Sequence, residues 1–199
     1  MTKKQNKINQ ITQFKIIATD QYSFFKEYNG DYCINEQGDY ALVSKKDKTY
    51  IESHDNKKII SINDEKHPRI QYILENRSEK ELVVYKIDKN LIKSLKKGDF
   101  KCDYGIYTED DILFLIELKG TDIAHAIEQI ISTIKILIEQ RHININRVNA
   151  RIVGSKIPNV RSSKENVYED ELKKYLRKIN KKSYKDDRII ESKTIKEII

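Results

Sequence analysis

The sequence predicts an α/β fold: a mixed central β-sheet flanked by helices, with a small N-terminal β-rich appendage. Three observations carry it. The run from Ile112 to Leu118 is apolar at every position except Glu117, the pattern of a strand covered on both faces. Ile123, Ile127, Ile130, Ile131, Ile134, Leu137 and Ile138 then recur at spacings of three and four, the period of an amphipathic helix. Strand-like and helix-like segments alternate along the rest of the chain, as layered α/β proteins require.

Taken in order, the first seventeen residues alternate basic and apolar positions and read as a short helix or a frayed arm. Between Gly30 and Ile62 three short alternating runs, Tyr40 to Ser44, Thr49 to Ser53 and Lys58 to Ile62, are separated by turn-forming residues and read as an antiparallel meander. His67-Pro68 marks a boundary, because proline disfavours helical geometry in the preceding residue yet suits a first helical turn. This divides the chain into an appendage, residues 1–66, and a core, residues 67–199. A helix is expected from Pro68 to about Arg77, with Ile70, Ile73 and Leu74 on one side.

Leu82 to Ile87 reads as a strand, and Lys93 to Lys101 as a basic loop around Gly98. Phe100, Cys102, Tyr104 and Ile106 alternate with Lys101, Asp103, Gly105 and Tyr107 as a strand with one better-buried face. Gly120 ends the Ile112 run, and Thr121 or Asp122 caps the helix that follows. Val148 to Val153 is a further strand closed by Gly154 and Pro158, Tyr168 to Lys178 a further helix, and Arg188 to Ile199 a last short strand or helix.

Composition narrows the class. Hydrophobic residues are 38% and charged residues 35% of 199, enough apolar content for a globular core. Nothing approaches the ~18 consecutive apolar residues of a membrane span, nor does the start resemble a secretory signal, so a cytoplasmic location is expected. Cys33 and Cys102 are too few for a disulfide framework and read as reduced and structural. The net charge of +7, from 38 basic against 31 acidic residues, favours phosphate-backbone partners weakly. Lys93, Lys96, Lys97 and Lys101 form one basic cluster; Arg177, Lys178, Lys181, Lys182 and Lys185, beside Tyr175 and Tyr184, form a denser one suited to phosphates with some base stacking, or simply a solvated helix end. Walker, dinucleotide-binding and nucleophile-elbow motifs are missing.

Glu117 is out of place in a buried strand. Residues two apart share a strand face, so Glu117 and Lys119 project together while Leu118 packs on the other side. If the hairpin sets Thr108 opposite Ile112, Asp103 falls opposite Glu117; a one-residue slip turns it to the other face. Directly paired side chains have Cβ atoms ~4.5–5.5 Å apart, close enough for two carboxylates to share a hard cation. Such an ion stabilises charge on a phosphate and acidifies a bound water that a neighbouring lysine can orient. A salt-bridged strand end without chemistry uses the same residues.

Lys101-Cys102-Asp103 followed by Ile116-Glu117-Leu118-Lys119 resembles the core motif of the PD-(D/E)XK nuclease superfamily, with Cys102 in place of the proline. The likeness spans about Pro68 to Val153. It implies a restriction-endonuclease-like αβββαβ core, Asp103 and Glu117 as Mg²⁺ ligands (Mn²⁺ substituting) with the Leu118 carbonyl, and Lys119 as the catalytic lysine. Gln129 resembles a glutamine that some branches place by the site; on its own it reads as a solvated helix residue. The acidic residue these families draw from the preceding helix is expected at Glu75, with Glu79 and Asp88 behind it. His125 is expected on the polar side of its helix, without a metal.

The expectation is a Mg²⁺-dependent endonuclease of the restriction, repair or defence kind, acting on nucleic acid, DNA rather than RNA. A homodimer fits, because one such site cuts one strand. The alternative is a non-cleaving nucleic-acid-binding module that keeps the fold; a small-nucleotide phosphodiesterase ranks lower.

Overall fold

In chain order the elements are β1 (Tyr32–Ile34), β2 (Tyr40–Leu42), β3 (Ile51–Asp55), β4 (Ile59–Asn63), β5 (Gln71–Glu75), β6 (Leu82–Lys86), β7 (Tyr104–Thr108), β8 (Ile112–Lys119), α1 (Ile123–Ile134), β9 (Arg147–Gly154), α2 (Ser163–Asn180), β10 (Ile190–Ser192) and β11 (Thr194–Ile198). The structure, a computed structural model, describes residues 32–34, 40–42, 51–88, 100–140, 145–157, 162–180 and 189–199. The expected N-terminal arm, Lys93, Lys96 and Lys97, and the basic run at Lys181, Lys182 and Lys185 with Tyr184 lie outside them.

Six strands form the main sheet in the order β10-β9-β8-β7-β6-β3. β8 and β9 are parallel, as are β9 and β10, whereas β3, β6, β7 and β8 run antiparallel. A second mixed sheet, β11-β5-β4, pairs β4 and β5 antiparallel and β5 and β11 parallel, and β1 and β2 form a separate pair. The fold is therefore mixed α/β, as the sequence predicts. Among the described residues no helix is long and apolar enough to cross a membrane.

The main sheet is covered on both faces, which accounts for the unbroken apolar run of β8. Leu113 and Leu115 pack with Val148, Ala150 and Ile152 against Ile123, Ile127, Ile130 and Ile134 of α1 and Leu172 and Leu176 of α2. Phe114, Ile116 and Leu118 turn the other way, onto Ile60, Ile62, Tyr72, Leu74 and Ile195 of the three-stranded sheet. Asp122 caps α1, its side chain accepting from the His125 N–H at 3.1 Å, and a π-helical turn, Lys135–Gln140, continues it. Gly154 lies where a Cβ would come within 2.9 Å of the Ile123 side chain, so the start of α1 can rest directly on β9.

Three expectations are corrected here. The helix expected over Pro68 to Arg77 is the strand β5. Ile70, Ile73 and Leu74 fit a helical stripe, but Ile70, Tyr72 and Leu74 fit alternation equally, and a short apolar run leaves periodicity undecided. Pairing with β4 on one side and β11 on the other decides it. The segments read as a meander are also shared out: β3 joins the main sheet beside β6, and β4 joins β5. The C-terminal tail forms two strands, β10 in one sheet and β11 in the other, turning between them at Lys193 with φ 65°. α2 starts earlier than the Tyr168 expected, because Ser162 and Glu165 make a capping box: the Glu165 N–H donates to Ser162 Oγ (3.2 Å) and the Ser162 N–H to Glu165 Oε2 (2.6 Å).

A buried ion pair ties the second sheet to the first. Arg151 of β9 donates through Nε and Nη2 to Glu197 of β11, at 2.9 and 2.5 Å, and the Tyr72 hydroxyl donates to the same carboxylate at 2.6 Å. The side chains are 3% and 6% exposed. Removing one member leaves the other charge buried without a partner, which is the costly way to break such a pair. Glu197→Ala is expected to destabilise the protein by about 3 to 5 kcal/mol in denaturant titration, and the double variant Arg151→Met/Glu197→Leu to recover most of that loss.

Candidate active site

The β7–β8 ladder pairs Tyr104 with Ile116, Gly105 with Leu115, Ile106 with Phe114 and Tyr107 with Leu113, the register that brings Asp103 opposite Glu117. β7 begins at Tyr104, four residues later than the alternation starting at Phe100 indicates, and Asp103 occupies a bend just before it. There the two strand ends lock through the acids themselves. The Asp103 N–H donates to Glu117 Oε2 at 3.1 Å, and the Leu118 N–H donates to Asp103 Oδ2 at 2.9 Å. Within an antiparallel ladder the N–H and C=O of a residue point to the same neighbour, so the Leu118 carbonyl lies on the Asp103 side as well.

Lys119 stands beside the pair, Nζ 3.4 Å from Glu117 Oε1, and donates to Gln129 Oε1 at 2.5 Å. Gln129 is therefore a member of the constellation and not a solvated helix residue. Its Nε2 donates to the Lys101 carbonyl at 2.8 Å, so one side chain of α1 holds both the lysine and the segment leading into Asp103. One turn on, Thr133 adds to the clamp: its hydroxyl donates to the Gln129 carbonyl at 2.8 Å and accepts from the Cys102 N–H at 2.9 Å. Sequence reading missed Thr133; a lone threonine within an isoleucine-rich helix face is the signal that was there. Cys102 is buried and free, and burial pushes its thiol well above the usual range.

Glu75 does not join the site. It lies on β5, where Lys196 and Arg77 flank its carboxylate and hold it below the usual range. Glu79 sits in the turn after β5 with φ 52° and pairs with Lys58 at 3.2 Å. Of the three, Asp88 is the one that lines the same cleft as Asp103 and Glu117, where Asp64 and Glu65 also lie. His125 is partly exposed, packing edge-on to Phe100 with ring centroids 4.4 Å apart and lying 3.4 Å from Glu128.

The cleft encloses 510 Å³ at the end of β8, the position where open α/β sheets bind ligands. Its acids are under electrostatic pressure. Burial raises Glu117 to about 9, and the Asp103 charge adds to the effect, against the opposing pull of Lys119. Burial raises Asp103 to about 6, helped by Asp88 and Asp64 and opposed by the Leu118 N–H and Lys119. Lys119, the ammonium beside Glu117, does not offset the burial of these carboxyls.

The donors fit a hard cation: two carboxylates facing each other and a strand-end carbonyl, all oxygen. Among the described residues no three His, Cys, Asp or Glu side chains cluster closely enough to hold a metal ion by themselves, so water or substrate oxygens would complete the shell. No protein-family model matches the chain, and no curated protein or solved structure shows significant similarity to it.

Raised acid pKa values carry a definite sign. Each group's stabilising contribution is fully present below its unfolded value, near 4, and is lost as pH rises through its folded value, about 6 for Asp103 and about 9 for Glu117. The metal-free protein is expected to melt at progressively lower temperature between pH 5 and pH 9 in thermal scans. Glu117→Gln is expected to remove most of that slope, and a slope unchanged in the variant would contradict the assignment.

Proposed function

We propose that the chain is a metal-dependent nuclease of the PD-(D/E)XK type, with a restriction-endonuclease-like core running from β6 to β9. The observation that carries this reading is the pair Asp103 and Glu117, held opposite one another on antiparallel strands with Lys119 and Gln129 alongside. From β6 onward the order is three antiparallel strands, a helix and a parallel strand. Among the described residues the helix expected before them is replaced by β5, so the support comes from the strands that bear the site.

On this reading Asp103, Glu117 and the Leu118 carbonyl would hold Mg²⁺, with Mn²⁺ able to substitute. The ion would supply charge stabilisation on the phosphoryl oxygens and a more acidic water. The remaining steps belong to the chain. Lys119, steadied by Gln129, orients the attacking water toward phosphorus. The new P–O bond forms as the bond to the leaving sugar oxygen breaks; the attacking water gives up a proton to solvent, and the leaving oxygen takes one up from solvent. Gln129 and Thr133 keep Lys119 and Asp103 in one frame, and a misplacement of about 1 Å costs roughly 10²-fold. DNA is the substrate proposed, consistent with the basic net charge of +7.

A panel of plasmid, linear duplex, single strand, four-way junction and RNA, incubated with Mg²⁺, Mn²⁺ or EDTA, tests the proposal. Cleavage is expected with either metal and not in EDTA. Asp103→Ala and Glu117→Ala should abolish it, and Lys119→Ala should lower kcat by about 10²- to 10⁴-fold with the fold intact by circular dichroism. Cleavage that survives EDTA or Asp103→Ala would contradict it, and binding without cleavage by the wild type would favour the non-cleaving module.

A further inference from the structure

The three-stranded sheet does more than cover an apolar face. Its β4–β5 turn reaches the cleft, where Asp64 and Lys66 form part of the wall together with Lys86 at the end of β6 and Asp88 just after it. The turn is tightly built. Asp64 Oδ1 accepts from the backbone N–H groups of Lys66 (2.8 Å) and His67 (2.6 Å) and lies 3.3 Å from the His67 ring, while the Asp64 N–H donates to the Ile70 carbonyl at 3.1 Å. Ile62 and Ile70 on either side are buried in the layer between the two sheets. The position of residue 66 relative to Asp103 and Glu117 is thus fixed by core packing.

Three lysines line the cleft: Lys66, Lys86 and Lys119. Lys119 is committed to Glu117 and Gln129, and Lys86 is already engaged within the protein. Lys66 is exposed, and among the described residues its ammonium makes no ion pair. An exposed ammonium on this turn, in the wall of the cleft that holds Asp103 and Glu117, suits contact with a backbone phosphate. Phosphate contacts of this kind set register on the strand without reading sequence. Asp64 is spent on the turn, and the exposed Glu65 alongside opposes a phosphate.

We propose that Lys66 is a substrate-positioning residue that binds a backbone phosphate flanking the one held at Asp103 and Glu117, so that the β4–β5 turn grips the nucleic-acid strand. This deepens the nuclease reading and rests on it. It also gives a function to the part of the chain N-terminal to the resemblance.

The test is equilibrium binding of labelled single-stranded and duplex oligonucleotides to the full chain, by fluorescence anisotropy across a salt series. Ca²⁺ is present because it takes the same oxygen ligands. Mg²⁺-dependent cleavage by the wild type is measured in parallel. One lost phosphate contact should reduce the slope of log K against log salt by about 0.7 on single strands or 0.9 on duplex, a five- to eight-fold weaker affinity at about 0.1 M salt. Lys66→Ala is expected to show both effects equally on unrelated sequences, raising KM and leaving kcat near the wild-type value. Glu65→Gln is expected to tighten binding, a change that mere loss of structure would not produce.

If the wild type cuts but Lys66→Ala binds with the wild-type slope and affinity, the role of Lys66 is overturned and the nuclease reading stands. If the wild type binds without cutting and Lys66→Ala still flattens the slope, the role of Lys66 is supported and catalysis is not. A wild type that neither binds nor cuts overturns both.

Discussion

The site depends on the register of one hairpin. β8 is buried on both faces, so each of its side chains has an assigned layer: Leu113 and Leu115 toward the helices, Phe114, Ile116 and Leu118 toward the second sheet. A shift of one residue would exchange the two sets and carry Asp103 away from Glu117. Hydrophobic burial therefore fixes the geometry of the carboxylates, and the bonds from the Asp103 N–H to Glu117 and from the Leu118 N–H to Asp103 close the strand ends at 3.1 and 2.9 Å. The parallel crossover through α1 then brings Gln129 and Thr133 against the same strand ends.

Two buried ionic clusters show how differently the same interior treats charge. Arg151 and Glu197 match in charge and meet through two bonds, with a third from Tyr72; this is a structural joint between sheets. Asp103 and Glu117 gather two acids against one ammonium, and both carboxyls rise well above their ordinary range, chiefly through burial. Perturbed carboxyls beside a specific charge partner in a cleft mark a candidate functional site. Glu117, 1% exposed, is the residue whose retention in a strand core costs most, and it is the one the proposed chemistry uses.

Much of this was legible in the sequence, because the signals are local. The β8 run, the α1 stripe and a cap at Thr121 or Asp122 follow from local periodicity and spacing, whereas the register that opposes Asp103 to Glu117 was one of two the hairpin allowed and the ladder decides it. The second sheet was not legible. β5 is flanked by β4 and by β11, more than a hundred residues later, and nothing local in Gln71–Glu75 distinguishes strand from helix. Glu75 was lost as a site residue for the same reason: its expected role required a helix that the distant pairing forbids. Asp88 and Lys66 reach the cleft only once both sheets are in place, and Glu197 is explained by Arg151 and Tyr72, 46 and 125 residues away.

The account turns on whether Asp103 and Glu117 together bind a divalent cation. Titration of the full chain with Mn²⁺, following the loss of the free-ion electron paramagnetic resonance signal, measures this without substrate or turnover. Saturable binding is expected for the wild type, lost or weakened at least tenfold in Asp103→Asn and in Glu117→Gln, with both variants folded. Equal Mn²⁺ affinity in wild type and variants would contradict the account.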